Sequence, residues 1–410
     1  MPSKYLSDLL INRNFGLFMT GSLFSATGSW FLAVAVGWLV WDVGRSEFLL
    51  GLANFAQMGP LLVFGVFGGA VADRMDRRKL LLITQACSAL ASLGLAATSG
   101  FGFLSMPVLL LLLLGLGVTQ VFAWTTWSPF IADLVGPERL RAAIAVNSVR
   151  FNLTRIIGPT LAGLLLAQVG APACVAVAAA AQVSLLAALG AIRTPARKTA
   201  LTSPWLSSIK EGLLIAWGDT MVRELLFSAG LMGLLIMPFT VFLPAYAQQI
   251  LAIGPAGFGL LLTAVGAGAI AAAALSGSQI VARRPRQAQA FFTISAGLAL
   301  TGFALSTLPA LSLAALFFVG FGALGFLTTA SVSVQLAVPK QAVGRVIGIW
   351  TVLNAGTSPL GGIAIGWLAE RMGLPTTLAL AGVLCAVAST GLALRHSTLR
   401  SPGTVGPLPD

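Results

Sequence analysis

Apolar runs of roughly twenty residues or more recur along the whole chain, separated by short polar stretches. A helix of about 20 apolar residues crosses about 30 Å of hydrocarbon and satisfies its own backbone there, so each run predicts a membrane-spanning helix. The pattern places spans near residues 15–41, 49–71, 80–100, 105–130, 143–168, 173–192, 225–250, 257–281, 288–308, 310–336, 347–369 and 375–394, twelve in all. The first run, Phe15 to Trp41, is much longer than the apolar core of a signal peptide and no clear small-residue cleavage pattern follows it, so it reads as a membrane helix.

Composition agrees with this reading. The chain is 57% hydrophobic and 9% charged with a mean hydropathy of +0.93, against about 45–50% apolar and about 25% charged in soluble domains. With both termini on the cytoplasmic side, 20 of the 24 Lys and Arg fall in inner segments, two (Arg45 and Arg371) in outer loops, and two (Arg150 and Arg155) within the fifth span. Cations concentrate in short cytoplasmic loops, which fixes that orientation. The net charge of +12 is thereby accounted for: cations spread over inner loops meet anionic lipid head groups, and no nucleic-acid partner is expected.

The longest polar connection, about Arg193 to Glu224, divides the spans six and six. The expected organisation is an N-terminal half at 1–192, a cytoplasmic loop at 193–224, a C-terminal half at 225–394 and a cytoplasmic tail at 395–410. The halves resemble each other: the segment from Asp133 has a counterpart from Gln335, with Pro137 facing Pro339 and Pro159 facing Pro359. Two parallel six-helix repeats suit a transporter that rocks about a central site.

The stretch GGAVADRMDRRK at Gly68 to Lys79 puts six charges within seven positions between two apolar runs. Gly69, Asp73, Arg74, Arg77 and Arg78 resemble the signature between the second and third helices of the major facilitator superfamily, with Asp76 where a glycine is usual. Together with the Val-Gly-Pro-Glu segment, Asn147-Ser148 and Gly158-Pro159, this stretch resembles the branch that contains enterobactin exporters and macrolide efflux proteins. The resemblance covers essentially the whole chain. It implies an all-α polytopic fold of twelve helices in two pseudo-symmetric halves, and secondary transport by alternating access. It further implies that the charged loop braces the inner ends of the two halves, with Gly344 and Arg345 as a partner for Asp73. Gly158, Pro159 and Gly163 partly match the family's antiporter motif, with Ala162 where a second glycine is usual, which implies export.

The residues themselves suggest where substrate would sit. Gly65 and Gly69 form a GxxxG pair suited to close helix contact. Arg155, in mid-span, is costly unless it faces a wet interior, and Asn152 lies one turn earlier on the same face. It reads equally as a substrate or gating group and as an anchor for carbonyls freed by Pro159. Gln120 and Trp124 combine an amide with an aromatic ring, and Asn54, Gln57 and Asn354 are similar cavity candidates. Trp127 reads better as part of an interfacial belt.

Several chemistries find no support. The single histidine, His396, lies in the polar tail, and Cys87, Cys174 and Cys385 lie in apolar runs, so neither metal ligation nor a disulfide framework is suggested. No phosphate-binding signature is present, and no cofactor or enzymatic activity is expected. No Asp or Glu lies well inside any span, which leaves the coupling ion open although the proton is the candidate. The expectation is a monomeric exporter of a hydrophobic or amphipathic small molecule, such as a siderophore or macrolide, in contact with the lipids of a bacterial inner membrane. An importer or lysolipid flippase on the same fold and a non-transporting sensor are the alternatives.

Overall fold

The computed structural model describes residues 12–193, 217–278, 281, 283–338 and 342–398. The expected central loop therefore lies largely outside the described residues, as does most of the tail. The described residues are almost entirely helical and contain no strand.

The helices are α1 (Arg13–Gly44), α2 (Glu47–Met58 continuing as Pro60–Arg74), α3 (Arg77–Gly100) and α4 (Met106–Val135). One continuous run, Leu140–Ala191, holds α5 and α6, which part at Gly170. Then follow α7 (Thr220–Ile250), α8 (Gly254–Ser276), α9 (Pro285–Ala304) and α10 (Pro309–Ala337). The last are α11 (Val343–Thr351, a π turn at Val352–Gly356, then Ser358–Met372) and α12 (Leu374–Thr398). Among the described residues these make twelve helices at the places where the apolar pattern predicts spans. The seventh begins five residues earlier than expected because Asp219 caps it, accepting hydrogen bonds from the Met221 and Val222 amides at 2.7 and 3.0 Å.

The sequence repeat recurs in the backbone. Gly170 turns the chain between α5 and α6 at φ 81°, and Gly373 does the same between α11 and α12 at φ 84°, a left-handed region that a side chain resists. Pro159 sits inside α5, and its counterpart Pro359 follows the π turn that interrupts α11. Within the N-terminal half α1 packs along α5 and α6, and α3 along α4 and α6; within the C-terminal half α8 and α9 pack along α10, and α9 along α12. The most extensive contacts between halves obey the same symmetry: the first segment of α2 lies on the last segment of α11, and α8 lies on α5.

Both contacts run from the end of the bundle remote from the chain termini, called here the far end, toward mid-depth. They rest on glycine: a Cβ built on Gly366 would lie 2.5 Å from the Glu47 carbonyl, and one on Gly163 would lie 2.8 Å from the Gly259 Cα. Backbones pack this closely in membranes because lipid offers no hydrophobic penalty to drive helices together, and dispersion must do it. The Ser46 hydroxyl adds a polar tie, donating to the Glu370 carboxylate of α11 while its oxygen caps α2. In this conformation the far end is closed.

Candidate binding cavity

A cavity of about 600 Å³ opens in the N-terminal bundle, and every residue lining it comes from α1 to α6. It reaches from Ser22 and Asn147, near the termini, to Trp30, Gln57 and Leu116 at mid-depth. Its volume suits a drug-sized ligand. Ser25, Ser29, Thr84, Ser88, Thr119 and Gln120 supply hydroxyls and an amide, and Trp30, Trp124, Trp127 and Phe151 supply aromatic surface. Most of the hydroxyls donate to carbonyls one turn back on their own helices, as Ser29 does to Ser25 at 3.0 Å. Donors of that kind leave oxygen lone pairs facing the space.

Arg150 is the one charged residue on the lining. Its Nη1 donates to the Ser22 carbonyl at 3.0 Å, and its Nε and Nη2 donate to the Asn147 Oδ1 at 3.3 and 3.0 Å. The guanidinium carbon lies 5.2 Å from the centre of the Trp127 ring, within cation–π range. Trp127 is held in turn, its Nε1 donating to Asn147 at 3.4 Å and its ring 4.9 Å from that of Phe18.

Three of the residues expected at the cavity, Gln57, Gln120 and Trp124, are on its wall. Four are elsewhere. Asn54 sits in the α2 and α11 seam, its amide nitrogen 3.1 Å from a Cβ built on Gly362. Asn354 is buried in the π turn of α11. Asn152 donates back to the Ser148 carbonyl on its own helix. Arg155 lies at the seam with α8, where its carbonyl, freed because Pro159 has no N–H to give, abuts Gly266.

The displacement of Arg155 from the cavity has a geometric cause. Arg150 and Arg155 are five residues apart, about 140° around a helix. Asn147, Arg150, Thr154 and Gly158 share the face turned to the cavity, and Gly158 lets the Trp30 indole lie against α5, a built Cβ there falling 2.6 Å from the ring. Depth in the span points to Arg155, whereas helical period read from the Asn147 polar position finds Arg150. Trp127, expected at an interface, lines the cavity instead. Gly158 faces α1, while Pro159 and Gly163 face Gly259 across the halves.

The signature loop has its own construction. Arg77 is largely buried and bridges two carboxylates, Asp133 of α4 at 2.9 Å and Asp73 of α2 at 3.2 Å. Arg78 donates to the Leu189 and Gly190 carbonyls at the end of α6, at 2.6 and 2.8 Å. Asp76 caps α3, accepting from the Lys79 amide at 2.9 Å, which explains an acid where the pattern has glycine. Arg74 ends α2, where a cation complements the helix dipole. These contacts all tie α2, α3, α4 and α6 within the N-terminal half. A Cβ on Gly69 would meet nothing within 4 Å and one on Gly65 only its own helix; the close approach to α4 is made by Gly68, beside Thr125 at 3.1 Å.

Among the described residues, twelve helices in two six-helix repeats, with a cavity opening in the N-terminal repeat, have the architecture of a membrane transporter. The chain matches the family described as transmembrane secretion effector over residues 8–402 and belongs to it, within the major facilitator superfamily. It is 29% identical to the multidrug efflux pump Tap of Mycolicibacterium fortuitum, covering 88% of this chain and 90% of that one. It is 30% identical to the enterobactin exporter EntS of Shigella flexneri, covering 81% of this chain and 77% of that one. Among solved structures, the nucleoside transporter NupG superposes with a TM-score of 0.72 at 13% identity, covering 95% of this chain and all of that one. A bacterial homolog of the human lysosomal transporter Spinster superposes with a TM-score of 0.70 at 14% identity, covering 98% of this chain and all of that one.

Proposed function

We propose that this protein exports a hydrophobic or amphipathic small molecule across a bacterial inner membrane by alternating access, with both termini cytoplasmic. The observation that carries the reading is the N-terminal cavity, open below a far end that glycine-mediated seams hold shut. With cytoplasmic termini, that is the state in which an exporter loads. The efflux direction rests on the relatives, and a siderophore- or macrolide-sized cargo rests on the cavity volume and its aromatic, hydroxyl-bearing wall. Asp73 and its loop act in the cycle by bracing the two halves when the cytoplasmic side closes. Proton antiport enters through the family alone, because no carboxylate is among the lining residues.

The test is accumulation of a labelled catecholate siderophore, hydroxamate siderophore, macrolide and lysolipid in cells expressing the wild type or Ser29→Trp, which fills the cavity. Lower accumulation of at least one compound with the wild type, restored by Ser29→Trp at equal membrane abundance, is the expected result. Raised uptake, or no change with any compound, would remove the efflux reading. A protonophore arm tests proton coupling separately.

A further inference from the structure

Arg150 is a fixed positive charge at the terminus-side end of the cavity, and no acid accompanies it on the lining. The partners it has are neutral: the Ser22 carbonyl and the Asn147 side-chain oxygen. A guanidinium carries five N–H donors, and these contacts engage three, one each on Nε, Nη1 and Nη2. One N–H on each terminal nitrogen is left to donate to an anion. Asn147 holds the fork in place from one side, and the Trp127 ring covers it at 5.2 Å. Arg150 is only partly exposed, and neutral partners alone leave its charge without a counter-ion. Asp73 and Asp133, on the neighbouring helices α2 and α4, pair with Arg77. Beyond the guanidinium the wall is aromatic, with Trp124 and Phe151 beside Trp30.

We propose that Arg150, held by Asn147 and covered by Trp127, binds the anionic group of the cargo, a carboxylate or similar planar anion on a flat apolar body, and selects anionic over neutral amphiphiles. This rests on the cavity being the loading site and names the class of molecule it loads. A charged contact in such a site is worth about ten- to a hundredfold in affinity.

The test uses the full chain in phosphatidylcholine nanodiscs, titrated calorimetrically with 2-naphthoate and with its neutral counterpart 2-naphthylmethanol. The readout is the ratio of the two dissociation constants. The wild type should favour the anion tenfold or more, Arg150→Gln should bring the ratio to about one, and Arg150→Lys should recover part of it by restoring charge without the fork. A structural role for Arg150 would weaken both ligands alike and leave the ratio unchanged, which would overturn the proposal. Equal affinity of the wild type for both compounds would overturn it as well, while the cavity reading would stand provided Ser29→Trp abolishes binding of both. Binding that survives Ser29→Trp would instead remove the cavity reading itself. Repeating the titration in phosphatidylglycerol nanodiscs separates a small-molecule anion from a lipid head group: loss of naphthoate binding there would assign the site to lipid and overturn the small-molecule assignment.

Discussion

Replacing Gly163 with alanine should open the far end. The structure places a built Cβ at that position 2.8 Å from the Gly259 Cα and 3.0 Å from the Pro255 carbonyl, whereas ordinary contact begins at 3.4 Å. The neighbours are backbone atoms of α8 and cannot rotate away, so α5 and α8 must separate by about 0.5–1 Å or the methyl must be accommodated by strain. Overpacking of this size costs about 1–3 kcal/mol. The cost falls on the conformation with the seam closed and is absent once the halves part there, so the ratio of closed to open molecules drops by about five- to 150-fold. Spin labels at Phe103 and Thr307, exposed positions in far-end loops of the two halves, report the separation by double electron–electron resonance after the exposed Cys87 is changed to serine. Gly163→Ala should move population to longer distances. An unchanged distribution would mean that the seam does not set the balance between states, and the closing role given to the paired glycines would be refuted.

The charged loop gives a graded prediction. Asp133→Asn should destabilise the protein by about 1–2 kcal/mol and Asp73→Asn by about 0.5 kcal/mol or less, because Asp133 is 26% exposed and Asp73 44%; thermal melts of the purified chain give the order. Ser46→Ala removes both the cap of α2 and the tie to Glu370, and should increase the far-end-open fraction in the same resonance measurement, more than Glu370→Gln, which leaves an acceptor and the cap in place. If the cargo is a monoanion bound at Arg150, its outward movement carries charge: an inside-negative potential of 100 mV supplies about 2.3 kcal/mol, roughly a fiftyfold gradient. A valinomycin-clamped potassium diffusion potential across proteoliposomes should then accelerate efflux when negative on the loading side and slow it when reversed, and indifference to sign would exclude net anion movement.

The architecture was legible because the bilayer imposes one rule on every span: enough apolar length and a satisfied backbone. Even the paired prolines were visible, since Pro159 and Pro359 stand 200 residues apart. The cavity was harder to read. Its wall is set by the direction each side chain takes around its helix, and a long apolar helix carries little amphipathic contrast to reveal that direction. Asn54 and Asn354 look from the sequence like the polar groups of a binding site, yet they lie in helix seams, where a small amide fits beside glycine. Gly163 shows the converse: a motif residue of uncertain role in the sequence becomes, against Gly259, a contact between halves. That contact depends on α8, nearly a hundred residues away, and no local pattern encodes it.

The repeat is symmetric in its backbone and asymmetric in its chemistry. The offset of 200 that aligns Pro159 with Pro359 carries Arg150 onto Trp350, a buried residue packed into the core of the C-terminal half. Where α5 presents a cation and an amide to open space, α11 presents an indole to its neighbours. Both copies keep the in-helix proline, the left-handed glycine turn and the glycine seam to the opposite half. The N-terminal copy presents a charged group, Arg150, to the cavity in this conformation. In the proposed cycle the two halves therefore divide the work: the N-terminal bundle carries the cargo, and the C-terminal bundle, through α8 and α11, opens and closes the far-end exit above it.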